Sequence, residues 1–336
     1  MSTHDNAEAF KRILPFLREI EHLILDDTVS EIMVNSSTHV FVEKSGLIER
    51  IPDIRISQEK LQVAVQNIAR YLGDDISPEN PILDSRLPDG SRIAAVLPPC
   101  SVQGITLTIR KFNTRSFTMA DLIAIGTVDE TSAALLRNAV VSKKNILISG
   151  GTGTGKTTLL NILCDFIPDE RRLVVIEDTM EIHVRKSNVV RFEARRKQGD
   201  KLPAVSIRDL LKASLRHRPD SLILGEIRGE EAFDLLQALN TGHSGSLSTI
   251  HANSGQQALS RLANCVLQSG YELPFKAIKA NIADSINLVV HIERRQAKRF
   301  VSGILEVTGY EPNEDAYRLT TIYSREENAR VHGVTA

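Results

Sequence analysis

Apolar residues recur along the chain with two rhythms, and the change between them separates two regions. Phe10, Ile13, Leu14, Leu17, Ile20 and Ile24 fall on one helical face, which predicts a helix over residues 7–25 with Pro15 in its first turn or at a break. Short apolar runs at 31–34 and 40–43, flanked by Ser36-Ser37 and Ser45-Gly46, read as strands. Ser57 with Glu59 opens a second helix whose face is Leu61, Val65, Ile68 and Leu72. Residues 73–90 are a turn-rich run, followed by strands at 92–97 and 105–110 that Pro98-Pro99 and Gly104 separate. Residues 1–112 therefore predict a smaller α+β N-terminal domain.

Residues 113–127 read as a linker carrying one short helix, Met119 to Ile125. Thr127-Val128-Asp129-Glu130 then reads as a capping box for a helix reaching about Val141. From there the rhythm changes. Short apolar runs at 146–148, 173–176, 189–192, 222–224 and 247–250 alternate with helical stretches at 207–215, 230–239 and 258–267. Strands alternating with helices predict an α/β domain over 128–336, with a mostly parallel sheet covered on both faces. Phe300 to Val307 and Tyr317 to Tyr323 predict an antiparallel pair at its edge.

Composition adds limits. A chain of 336 residues is long enough for two cores, and 42% hydrophobic with 25% charged residues is the balance of an ordinary globular protein. A formal net charge of −1 argues against a globally basic nucleic-acid binder. No apolar run approaches the roughly 18–20 residues that span a bilayer, and the start has no basic-then-apolar signal form. Cys100, Cys164 and Cys265 form no C-x-x-C pair and no zinc spacing; they read as small core residues in a reducing, cytosolic compartment.

The chemistry begins after the run Ile146-Leu147-Ile148. Gly150-Gly151-Thr152-Gly153-Thr154-Gly155-Lys156-Thr157-Thr158 fits G-x-x-x-x-G-K-[ST] between a strand and a helix. Glycines let successive N–H groups curl toward phosphate oxygens, and the helix start adds free N–H groups and a positive dipole end. Lys156 can reach the β- and γ-phosphates, and the Thr157 hydroxyl can meet Mg²⁺. This stretch predicts binding of a nucleoside triphosphate.

Ligands of open α/β sheets lie beyond the carboxyl ends of the strands, where two further groups stand. One is Glu177-Asp178, with Glu181 shortly after; the other is Gly225-Glu226. A typical phosphate-loop enzyme carries an Asp in the place of Gly225, so Glu226 is better suited to activate water than to bind metal. His251, at another strand end, is a candidate γ-phosphate sensor, and His243 a weaker one. Basic clusters at 185–201 and 294–299 lack interleaved aromatics and read as solvated loops.

With these residues assembled, the chain resembles the secretion superfamily ATPases, the hexameric motors of type II and type IV secretion, pilus assembly and conjugation. The resemblance is to the branch that serves Tad-type pili and conjugative transfer. Four boxes carry it: 150–158, Ile176 to Glu181, Arg218-Pro219-Asp220 through Gly229, and Asn240 to His243 through Asn253. They match the family's phosphate loop, aspartate box, atypical Walker B and histidine box. The missing Walker B aspartate is then a family habit. Residues 84–92 and 107–112 look like the segments that carry nucleotide-contacting arginines, which would be Arg92 and Arg110, with Arg86 less secure.

The resemblance implies a RecA-like P-loop NTPase core and a homohexamer that binds ATP with Mg²⁺ between its two domains. Catalytic roles would fall to Lys156, Glu177, Glu226, His251, Arg92 and Arg110. The ring would be cytoplasmic, peripheral at the inner membrane, docked on a secretion or pilus platform protein, with no stable nucleic-acid complex. The chain begins almost directly with the first domain, unlike pilus members with long leaders, which leaves pilus assembly and conjugation both open. A RecA-like nucleic-acid translocating ATPase is the alternative, and would call for a basic, aromatic-bearing strand path.

Overall fold

Pro15 sets the form of the first described segment. In the computed structural model, which describes residues 13–44, 46–87, 90–112, 117–195, 203–296 and 298–326, the expected long helix is broken. Two single turns of 3-10 helix, Leu14–Phe16 and Arg18–Ile20, lead into a short helix α1, Glu21–Leu25. Proline brings no N–H to an α-helical ladder, so the segment stays in short turns that still bury Ile13, Leu17, Ile20 and Ile24. Residues 7–12 of the expected helix lie outside the described residues.

The chain divides into two compact units, Met1–Ser116 and Phe117–Ala336. The first is built on strands β1 (Val29–Ser36), β2 (His39–Lys44) and β3 (Leu47–Ile51), helix α2 (Gln58–Tyr71), and strands β4 (Ile82–Arg86), β5 (Arg92–Val96) and β6 (Thr106–Arg110). The six strands pair antiparallel in the order β3-β2-β1-β6-β5-β4. Ser57 caps α2 by accepting from the Lys60 N–H, and Leu61, Val65 and Ile68 enter the core. The apolar pattern did not reveal β3 and β4 because both are edge strands. Leu47, Ile48 and Ile82 are exposed, and only Leu83 of the two strands is fully buried, so neither strand shows clean alternation.

The second unit opens with helices α3 (Met119–Ala124) and α4 (Glu130–Val141). Of the expected linker, residues 113–116 lie outside the described residues, and α3 packs on this unit through the buried Leu122. The cap of α4 is Asp129, not Thr127: Asp129 accepts from the Ser132 N–H at 2.7 Å and the Ser132 hydroxyl reaches back. The Thr127 carbonyl instead accepts from the Val301 N–H at 2.8 Å.

Then follow β7 (Ile146–Gly150), α5 (Lys156–Asp165), β8 (Leu173–Glu177), β9 (Val189–Glu193), α6 (Ile207–Ser214), β10 (Ser221–Ile227), α7 (Glu231–Asn240), β11 (Leu247–His251), α8 (Gly255–Leu267), α9 (Phe275–Ser285), β12 (Leu288–Arg295), β13 (Lys298–Glu311) and β14 (Ala316–Ser324). The sheet order is β14-β13-β12-β7-β11-β10-β8-β9. The run from β12 to β9 is parallel, and β13 and β14 extend it antiparallel. Ile146 and Ile148 enter one core while Leu147 enters the other; Leu173 and Val175 divide from Val174 and Ile176 in the same way. Helices cover both faces, which is why these strands read as continuous apolar runs.

Candidate active site

At the carboxyl end of β7 the glycines of the phosphate loop set its shape. Gly153 and Gly155 have φ of +69° and +98°, left-handed values that side chains resist. A Cβ on Gly150 would stand 2.4 Å from the Ile292 carbonyl oxygen, so only glycine lets β7 pass that close to β12. Gly155 caps α5, and Lys156, Thr157 and Thr158 form its first turn, where backbone N–H groups have no partner within the helix. The Thr154 hydroxyl donates to the Gly151 carbonyl at 3.0 Å, closing the loop on itself. Lys156 is 7% exposed, and its Nζ donates to the same carbonyl at 2.8 Å. Burial lowers the Lys156 pKa, and the Glu226 carboxylate opposes that shift.

Strand order brings the other groups alongside. β11 lies between β7 and β10, so His251 at its end stands between Lys156 and Glu226. His251 Nε2 is 3.0 Å from Glu226 Oε1 and 3.4 Å from Lys156 Nζ. Burial lowers the His251 pKa and Lys156 adds to the fall, while Glu226 raises it; the net direction favours a neutral imidazole at neutral pH. Arg228 donates to Glu226 Oε2 at 2.9 Å and to Asp178 Oδ2 at 3.3 Å. Both oxygens of Glu226 therefore have partners.

Glu177, at the end of β8, is 4% exposed. Its Oε1 accepts from the N–H groups of Glu181 and Ile182 at 2.8 and 3.0 Å. Burial nevertheless raises its pKa to about 7, outweighing those two bonds. Asn161 of α5 ties the Glu177–Glu181 segment to the phosphate loop's helix, accepting from the His183 N–H at 2.8 Å and donating to the Glu181 carbonyl at 3.3 Å. The glycine before Glu226 now has a physical reason. A Cβ on Gly225 would lie 3.1 Å from Glu177 Cγ, so the buried glutamate occupies the space that a Walker B aspartate would need.

His243 takes a structural place. It precedes β11, and its Nδ1 pairs with the Ala238 carbonyl at 2.9 Å near the end of α7. Two arginines given no role by the sequence belong to the site. Arg228 is one, and its signal was its position two residues beyond Glu226. Arg299 is the other: the 294–299 cluster is not simply a solvated loop, because Arg299 Nε donates to the Gly153 carbonyl at 2.9 Å. Arg294 Nη1 lies 3.4 Å from where a Cβ on Gly153 would be. Only the β12–β13 pairing brings them there. Of the 185–201 cluster, residues 196–201 lie outside the described residues.

In the first unit, register aligns Arg86, Arg92 and Arg110 across β4, β5 and β6. Cross-strand partners share a face, and Ile93 and Ile109 beside them point into the core, so the arginines stand on the opposite face. Glu31 of β1 continues the row beside Arg110. Burial raises the Glu31 pKa and Arg110 moderates the rise.

The family model described as "Type II/IV secretion system protein" matches residues 17–321. The chain belongs to that family. It is 36% identical over 295 residues to the conjugal transfer protein TrbB of Rhizobium radiobacter, a match covering 86% of this chain and 87% of that protein. It is 35% identical over 291 residues to the type IV secretion system protein PtlH of Bordetella pertussis, covering 80% of this chain and 86% of that protein. The X-ray structure of the Legionella pneumophila ATPase DotB shares the fold, with a TM-score of 0.63 at 20% identity over 90% of this chain and 85% of that one. In this member of the type II/IV secretion family, Lys156, Glu177, Glu226 and His251 meet at one edge of a single sheet. Among the described residues no helix is long and apolar enough to cross a membrane.

Proposed function

We propose that the chain is a Mg²⁺-dependent ATPase with a RecA-like core that works as a homohexamer and powers type IV secretion, conjugative transfer or Tad-type pilus assembly. The observation that carries this reading is Glu226, held on both oxygens by Arg228 and His251 and two strands away from the phosphate-loop strand β7. A carboxylate so oriented can accept the proton of a water that attacks the γ-phosphorus, with ADP and phosphate as products.

ATP binding engages the loop amides from Gly150 to Thr158. Lys156 exchanges the Gly151 carbonyl for the β- and γ-phosphates. The Thr157 hydroxyl and the Glu177 carboxylate offer the oxygen donors that suit Mg²⁺, which when bound neutralises charge on the phosphates. His251 reads the γ-phosphate from its place beside Lys156. Arg92 and Arg110, aligned on one face of the first sheet, add cationic contacts to the nucleotide, by resemblance to the family. Loss of the γ-phosphate removes these contacts and shifts a two-state equilibrium, the step that becomes work in a closed ring. The ring would be cytoplasmic, peripheral at the inner membrane, and docked on a secretion or pilus platform protein.

The deciding test is Glu226→Gln. Turnover should fall by about 100-fold or more while ATP binding is retained. Unchanged turnover would falsify the role given to Glu226. Mass measurement with ATP should find six copies. Family membership and the net charge of −1 favour this reading over a nucleic-acid motor, for which salt-sensitive stimulation by DNA would speak.

A further inference from the structure

The opposite edge of the second sheet holds a cavity that the ATPase reading does not use. It encloses about 370 Å³ where the segments leading into β7, β8, β9 and β10 converge. A five-residue strand puts it about 16 Å from the phosphate loop. Four cations, Lys143, Arg171, Arg172 and Arg218, line it against two carboxylates, Glu170 and Asp220.

The bonding of these cations is unequal. Arg172 is partly engaged: its Nε donates to the His217 carbonyl at 2.6 Å and its Nη1 to Asn188 Oδ1 at 2.7 Å, while its backbone N–H donates to Asp220 Oδ2 at 2.7 Å. Arg171 is 7% exposed, and its Nη2 serves the Asp220 and Ser244 carbonyls. Its Nη1, also shielded from water and packed against Gly245, has no hydrogen-bond partner. A buried guanidinium with an unspent donor is costly to keep. Lys143 and Arg218 make no ion pair among the described residues. Both hold left-handed backbone, with φ of 58° and 52°, where glycine would be easier. Two exposed cations thus converge on one cavity at positions the backbone would rather give to glycine.

We propose that this cavity is an anion site that binds a phosphoryl group. A carboxylate would leave part of the net charge of +2 unmatched, whereas a phosphoryl dianion neutralises it. Its several oxygens can also meet donors that arrive from three different segments. The same group could arrive on a soluble phosphate or on a lipid headgroup, and the test separates the two.

Inorganic phosphate and pyrophosphate are titrated calorimetrically into the full chain with its phosphate loop saturated by ADP and Mg²⁺. Lys143→Gly and Arg218→Gly remove charge at positions whose φ suits glycine, so the fold is kept; thermal unfolding checks this. One binding event is expected in the native chain, weakened about tenfold by each substitution, with ADP affinity unchanged. Absence of binding at millimolar anion overturns the proposal. So does equal binding in the double variant, which would mark an adventitious ion only. Vesicles of phosphatidic acid in phosphatidylcholine, against phosphatidylcholine alone, form the second arm. Capture that pyrophosphate competes away, and that the double variant loses, assigns a headgroup. Pyrophosphate binding without capture assigns a soluble ligand.

Discussion

Replacing Glu177 by glutamine should make the second unit more stable and the enzyme slower. Glu177 is 4% exposed, and burial raises its pKa from an ordinary 4.5 to about 7. Between those two values the folded chain holds a proton that the unfolded chain has released, so stability falls as pH rises through that window. Above it the cost of keeping the carboxylate ionised is roughly 1.36 kcal/mol per pH unit of difference, or about 3 kcal/mol as an upper bound. Glutamine keeps an oxygen for the Glu181 and Ile182 N–H groups and carries no charge. Glu177→Gln should therefore raise the melting temperature of this unit at pH 8 by up to about 6–12 °C, and change it little near pH 5. Calorimetry of the full chain at both pH values measures this, with the relevant transition identified by its response to ADP. Hydrolysis at pH 8 should meanwhile fall if Glu177 has the proposed role in placing metal or water. Equal pH dependence of melting in the two proteins would refute the buried-charge argument.

Other substitutions probe the neighbouring groups. Gly225→Asp, which would restore a typical Walker B residue, should destabilise the second unit by about 1–3 kcal/mol in thermal unfolding, since its Cβ meets Glu177 at 3.1 Å. Arg228→Ala should lower kcat by about tenfold with ATP affinity nearly unchanged, because Glu226 loses a partner made at 2.9 Å; an unchanged kcat would leave Arg228 a surface ion pair. Arg92→Ala and Arg110→Ala should each slow hydrolysis while the melting of the second unit stays the same; normal turnover in both would refute the role proposed for these arginines.

How much of this was written in the chain differs from residue to residue. The phosphate loop was legible because its glycines and lysine are consecutive and flanked by clear strand and helix patterns. Glu226 and His251 were legible as strand ends, since apolar runs locate the strands and chemistry follows at their carboxyl ends. Arg299 was not, because its place beside Gly153 depends on β12 pairing with β7 and on β13 folding back 146 residues later in the chain. Gly225 was visible as an oddity, but its cause, the buried body of Glu177, lies across the β10–β8 pairing. The edge strands β3 and β4 were missed because a strand that buries few side chains leaves little apolar trace.

His251 cannot satisfy both of its neighbours at once. The same nitrogen, Nε2, faces a donor in Lys156 and an acceptor in Glu226. A neutral imidazole carries one proton, so Nε2 either donates to the glutamate or accepts from the lysine, and never both. Were a bound phosphate to draw the lysine away, as proposed, the ring would be left with a single partner and one tautomer would prevail. Between turnovers the two compete. In the proposed ring of six, each such imidazole would report the state of its own subunit's site.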